Sequence, residues 1–309
     1  MSNTATSGER LLEIDALRGL AAIAVVLYHY TFRYHQIFDG TPATFLFEYG
    51  YLGVEIFFGI SGFVILMTLE KSKTVTDFII SRLSRLYPAY WTALILTFGA
   101  SVIWPLSGRT VSLPEALVNL TMWQEVVGFR HVDGVYWSLQ VELIFYTLMI
   151  FLFVVGWLPR AIFAMIIWMV ISMASKLLSV ILGYSVPYRM EQLLLLPYCG
   201  FFSIGAVSYV AFRARKLSWE ALFSFALAVV VSGLWRGIEG AVVATFASFL
   251  FSLIVLRKSS ILRAKILVGL GAISYPLYLV HQNIGYTIIS QLKAVGFPGL
   301  APILSALLC

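Results

Sequence analysis

Cysteine and charge are the two things this chain is short of. Its 309 residues hold two cysteines, Cys199 in an apolar segment and Cys309 as the last residue, which excludes a disulfide framework. Charged residues make up 12%, about half the ~25% of ordinary soluble domains, so a conventional solvated surface is excluded too. Histidine is scarce, with only His29, His35, His131 and His281. None sits at a paired ligand spacing, so no metal site is expected. The chain also carries no internal repeat, low-complexity tract or polar domain.

What it has is apolar length: 60% hydrophobic residues and a mean hydropathy of +0.91. A spanning helix needs roughly 20 apolar residues, and such segments recur between short polar breaks. Backbone in lipid must satisfy itself, leaving helices or a closed barrel. These runs are too long and continuous for barrel strands. The expected fold is therefore all-α, a polytopic transmembrane bundle of about nine to ten helices.

The pattern predicts spans near 14–33, 51–69, 87–106, 136–157, 161–182, 193–212, 218–236, 240–256 and 266–290. A basic stretch, 70–86, precedes the third span, and residues 107–135 form a long loop. The polar start, Met1 to Glu9, lacks a basic n-region, so the first span reads as uncleaved. The final run, Leu300 to Cys309, is too short to cross. Residues 1–309 thus form one membrane domain whose last helix is truncated or rests at the interface.

The net charge of +6 is gathered in alternate loops: Lys71, Lys73, Arg82 and Arg85; Arg213, Arg215 and Lys216; Arg257, Lys258, Arg263 and Lys265. That distribution follows the positive-inside rule and places the N-terminus in the cytoplasm. Membrane lipid is the implied surroundings, and no nucleic acid partner is indicated.

Against this background the polar intruders stand out, because ionisable groups inside spans are costly and default to functional candidates. Arg18 and His29 share one face of the first span, ~16 Å apart along the axis, and Asp15 lies one turn before Arg18. In the second span Glu55, Gly59 and Gly62 recur at i, i+4, i+7, and such small residues admit a close neighbouring helix. The Gly59-Ile-Ser61-Gly62 run lacks the strand–turn–helix setting of a nucleophile elbow. Ser138, Glu142 and Tyr146 share a face of the fourth span, and Ser274, Tyr278 and His281 a stripe of the ninth, which Pro276 should kink. Arg82 and Arg85, one turn apart, read either as ordinary positive-inside charge or as a guanidinium clamp for phosphate oxygens. Each of these residues also has a bland reading, as an interface anchor or an interhelical hydrogen bond. Taken together they place arginines near the inner face and His29, Glu55, Glu142 and His281 deeper.

Five blocks in order carry a resemblance: Asp15-Ala-Leu-Arg18 with His29; Gly53-Val-Glu55-Ile-Phe-Phe-Gly-Ile-Ser61-Gly62-Phe; Arg82-Leu-Ser-Arg85-Leu-Tyr-Pro88; Trp137-Ser-Leu-Gln-Val-Glu142-Leu-Ile-Phe-Tyr146; and Ser274-Tyr-Pro-Leu-Tyr278-Leu-Val-His281. Together they resemble the bacterial membrane acyltransferase type 3 family, whose members O-acylate surface sugars, lipopolysaccharide and exopolysaccharides. The resemblance implies transfer of an acyl group, most often acetyl from acetyl-CoA, to a hydroxyl of a periplasmic or lipid-linked carbohydrate at the bacterial inner membrane. Acyl-CoA is then a co-substrate, with no metal. The resemblance makes His29 the leading catalytic residue with Arg18 its companion, and Arg82 and Arg85 contacts for the CoA phosphates. Glu55 stands where the family more often has aspartate, and Leu143 where a second acidic residue often follows Glu142.

An imidazole is suited to take the proton of a sugar hydroxyl. His29 is expected to act as general base, or alternatively to carry the acyl group briefly. Glu142 or Glu55 would orient it and stabilise its cation, and Tyr278 or backbone donors would support the oxyanion. Ser138, Tyr278 and His281 are the expected substrate contacts. The alternative class is a transporter or flippase for a polar lipid or sugar, which uses the same intramembrane groups; a scaffold subunit is a third.

Overall fold

The computed structural model describes residues 11–39, 47–297, 303 and 306. Among them every regular element is helical. The chain runs through α1 (Leu12–Tyr28), α2 (Gly53–Lys71), α3 (Val75–Ile103), the short α4 (Leu113–Asn119), α5 (Trp137–Val154), α6 (Ala161–Leu182), the short α7 (Tyr188–Leu193), α8 (Cys199–Ala214), α9 (Trp219–Val255) and α10 (Lys265–Ala294). Five helical stretches are long and apolar enough to cross a membrane: Glu48–Lys71, Val75–Ile103, Gly134–Val154, Leu158–Leu182 and Trp219–Val255. The rest of the bundle, α1, α8 and α10, is shorter or more polar and lies packed among them.

Close helix crossings rest on missing side chains. The Gly59 and Gly62 face of α2 meets α8, where a Cβ on Gly62 would strike the Phe202 carbonyl and one on Gly205 the Gly59 carbonyl. On the other side, a Cβ on Gly19 of α1 would lie 2.7 Å from Gly271 N of α10. α1 therefore sits between α2 and α10, and α8 between α2, α6 and α9.

α9 is two helices in one. Gly237 adopts φ 66°, ψ −157°, a backbone open essentially to glycine alone. Beyond it the chain turns back on itself: a Cβ on Gly233 would lie 3.3 Å from that of Ala241, whereas residues eight apart in one straight helix are ~12 Å apart. The two arms match the expected spans 218–236 and 240–256.

Two expectations need correction. The stretch 70–86 is not a loop before the third span, because α3 already begins at Val75. Thr74 and Asp77 form a capping box, Thr74 Oγ1 accepting from Asp77 N at 3.1 Å and Asp77 Oδ2 from Thr74 N at 3.0 Å. Arg82 and Arg85 are thus helical, and Pro88 lies inside the helix rather than at its start. The first span also changes character. Its α-helix stops at Tyr28 and continues as π-helical turns, His29–Arg33 and His35–Asp39. Pro276 lies within an unbroken α10. The terminal run Leu300 to Cys309 falls outside the described residues apart from Ile303 and Ala306, which are buried in an apolar cluster with Val26, Tyr34 and Tyr286.

Candidate active site

Two cavities are strung along the bundle, and Tyr278 of α10 lines both. The first, about 100 Å³, is walled by Arg18 of α1, Ser61 of α2, Arg82 and Arg85 of α3, Glu142 and Tyr146 of α5, and Ser274 of α10. Arg82 is buried and Arg85 exposed, so one guanidinium sits within the cavity wall and the other at the surface. Arg18 is held by Asp15 one turn back, Nη1 to Oδ1 at 3.0 Å. Glu142 accepts from Ser61 Oγ at 2.9 Å and from Tyr146 OH at 2.7 Å, both on Oε1. Three cations and one carboxylate leave this cavity net positive.

The second cavity, about 450 Å³, is lined by His29, Arg33, Tyr51, Glu55, Arg109, Trp137, Arg236 and Gln282, together with Tyr278. His29 opens the π-helical turn, a local widening found often at functional sites. Its Nδ1 lies 2.9 Å from Val25 O and 3.1 Å from His281 Nε2. His281 Nδ1 lies 2.8 Å from Tyr278 O. Carbonyls only accept, so both imidazoles carry their proton on Nδ1 (an assignment made from the network). His281 Nε2 then accepts from His29, and His29 Nε2 keeps a free lone pair with no partner among the described residues. A base must present such an atom to its substrate.

Most of the residues expected at a site converge, but in different groups. Arg18, Arg82, Arg85, Ser138 and Glu142 line the first cavity, His29 and Glu55 the second. Neither carboxylate orients His29, contrary to expectation. Glu142 is occupied in the first cavity, and Glu55, 2% exposed, pairs with Arg236 Nη2 at 2.7 Å. The orienting group is His281, which is buried behind His29 and lines neither cavity, so it is not a substrate contact here. Tyr278 OH lies 2.7 Å from Ser138 Oγ, and both hydroxyls reach Val135 O, the serine at 3.0 Å and the tyrosine at 3.4 Å. Tyr278 lines both cavities and Ser138 the first.

Sequence reasoning missed the second cavity's arginines as site residues. Arg236 reaches Glu55 because it directly precedes Gly237, at the tip of the α9 hairpin. Arg109 arrives from the loop after α3, where Nη1 donates to Asn283 Oδ1 of α10 at 3.2 Å. The segment between α4 and α5 is pinned to α10 as well, by Asp133, which accepts from Asn283 N at 2.9 Å and Val135 N at 3.2 Å. Burial pushes this carboxyl up to about 6 against the pull of those donors. An arginine next to a glycine between two apolar runs was the one available signal.

Fold and site together define a helical membrane protein with two cationic cavities and a buried histidine pair at the second. The chain belongs to the membrane acyltransferase type 3 family: the family model described as "Acyltransferase domain" matches residues 11–309. Relatives carry related names. A protein of Acidianus two-tailed virus, named provisionally as acetyltransferase ORF330, is 24% identical over 286 residues, covering 87% of this chain and 81% of that protein. An O-acetyl transferase of Shigella phage Sf6 is 34% identical over 87 residues, 27% of this chain and 25% of that one. The peptidoglycan O-acetyltransferase OatA of Listeria monocytogenes is 34% identical over 113 residues, 35% of this chain and 15% of that protein. The chain thus spans most of the first relative and a quarter or less of the other two. No solved structure matches it.

Proposed function

We propose that this chain is an O-acetyltransferase of the bacterial inner membrane, N-terminus in the cytoplasm, moving an acetyl group from acetyl-CoA to a glycan hydroxyl. The observation that carries the proposal is the contiguity of the two cavities across the single ring of Tyr278. The Arg18, Arg82 and Arg85 cavity receives the thioester arm, and exposed Arg85 meets phosphate oxygens at its mouth, where a guanidinium fork fits them well. At about 100 Å³ the space suits a narrow acyl-bearing arm and leaves the nucleotide outside. The acceptor enters the larger His29 cavity.

In the reaction, the acceptor hydroxyl oxygen attacks the thioester carbonyl carbon while His29 Nε2 takes the hydroxyl proton. The carbon–sulfur bond then breaks, the ester forms, and the thiolate leaves with the proton returned from His29. During the step His29 is cationic, and its Nδ1 proton is held by His281 Nε2 and Val25 O. This is the logic of an oriented base, with a neutral imidazole in the place a carboxylate takes in hydrolase triads. The relatives' printed names, acetyltransferase and O-acetyltransferase, support the acyl group and the acceptor atom.

The test is mass spectrometry of host glycans with the wild-type chain and with His29→Ala. An increment of one acetyl group per modified unit is expected for the wild type, and general-base assistance predicts a loss of ~10²–10⁴-fold in the variant. A transporter would move material without changing its mass. Near-wild-type acetylation by His29→Ala would remove the assignment.

A further inference from the structure

The charge around His29 specifies the acceptor more narrowly than a hydroxyl does. Four charged side chains line that cavity: Arg33, Arg109, Arg236 and Glu55. Only one pair cancels, Arg236 with Glu55. Other carboxylates lie near without forming an ion pair with either remaining arginine: exposed Glu48 acts on Tyr28, and Asp133 attracts Arg109 only at longer range. Glu239 accepts from Tyr51 OH, and Asp133 is fully buried and takes the backbone N–H groups of Val135 and Asn283.

Arg33 and Arg109 have no acidic partner among the described residues. Arg33 donates to Gln36 Oε1. Arg109 donates to Asn283 Oδ1, and its Cζ lies 5.1 Å from the centre of the Tyr286 ring. Each therefore uses one N–H on a neutral amide and keeps the remaining donors of its fork. Two guanidinium groups without an ion-pair partner in a half-buried cavity are costly, and such groups are ordinarily paired.

The chemistry sharpens the point. When His29 takes a proton, a third positive charge appears in the same cavity. With a neutral acceptor all three repel one another; an anionic one offsets part of that charge at the moment the barrier is crossed. We infer that the acceptor is an acidic glycan unit, whose carboxylate or phosphate is gripped by Arg33 and Arg109 while its hydroxyl faces His29 Nε2. This rests on the acetyl-transfer reading above and names its substrate class.

The experiment uses the full chain in lipid nanodiscs, with radiolabelled acetyl-CoA and a host glycan extract separated by anion exchange into neutral and acidic fractions. Label is expected in the acidic fraction. Amidating carboxylates with carbodiimide, or treating with phosphatase, should abolish acceptance in one arm and so identify the anion. Arg33→Gln with Arg109→Gln should raise the KM for the acidic fraction at least tenfold, since a hydrogen bond to a charged group is worth roughly that factor or more. Arg109→Lys, which keeps the charge, should lose less. Label entering the neutral fraction equally, or an unchanged KM in the double variant with an unchanged unfolding midpoint, overturns the inference and leaves acetyl transfer standing. Absence of label from both fractions with the wild type overturns acetyl transfer, and the inference with it.

Discussion

Replacing His281 by alanine removes one acceptor from His29 Nδ1 and leaves the other, Val25 O, in place. The tautomer that bares Nε2 is therefore weakened rather than lost. A hydrogen bond to a charged group contributes about 1.5–3 kcal/mol, and His29 becomes charged only as the hydroxyl proton moves. The cost thus falls on the transition state, and each ~1.4 kcal/mol is tenfold in rate. The expected loss in kcat is about 10- to 100-fold, smaller than the ~10²–10⁴-fold expected for removing the base itself. KM for both substrates should stay near the wild-type value, because His281 lines neither cavity. His281→Gln places a carbonyl oxygen where the imidazole nitrogen was and should recover most of the rate. The assay is transfer of labelled acetyl to a glycan extract by protein in nanodiscs, with kcat and KM measured separately. A full kcat in His281→Ala, a change confined to KM, or no rescue by glutamine would refute the role of this imidazole.

Replacing Arg82 and Arg85 together by Gln should weaken acetyl-CoA binding, read by calorimetry, without altering which glycan fraction is labelled. Unchanged affinity would exclude the first cavity as the thioester's entrance. Gly205→Leu would drive a side chain into the Gly59 carbonyl, a backbone clash that the α2–α8 crossing cannot relieve. It should cost more than about 3 kcal/mol and show as loss of a monodisperse peak in detergent, where an unchanged thermal midpoint would contradict the close packing. Asp133 supplies a pH dependence. Its carboxyl sits at about 6 in the fold against a usual 3.8, so the folded state binds that proton more tightly. Stability from this group is full below the unfolded value and is lost as pH rises through about 6. The thermal midpoint should therefore be higher at pH 5 than at pH 7.5, and Asp133→Asn should flatten the slope; a midpoint rising over that range in the wild type would contradict the burial.

Much of the fold was legible because lipid imposes one rule on every residue of a span. Apolar length and the need to close backbone hydrogen bonds within a segment determine an all-helical bundle, and they located the two arms of α9 despite the missing loop between them. The same rule singled out Arg18, His29, Glu55, Glu142 and His281, since each is expensive where it stands. What failed was local. The helix start at Val75 was hidden because Thr74 and Asp77 lie in a run of charges that reads as a loop, although the capping box was there to be seen.

Partnership was the part that only the tertiary structure decided. Periodicity puts Glu142 and His29 on inward faces but cannot say that Ser61 and Tyr146 take the carboxylate first, or that His29 meets an imidazole 252 positions later. Nor can it bring Arg109, from the loop after α3, and Arg236, from the tip of the α9 hairpin, to one cavity. Those contacts depend on how rigid helices cross, and the crossings depend on a few glycines whose neighbours are remote in the chain. Composition and period determine what each helix must bury; the packing of one helix on another determines which buried groups touch, because a hydrogen bond acts over about 3 Å and sequence carries no distances between segments.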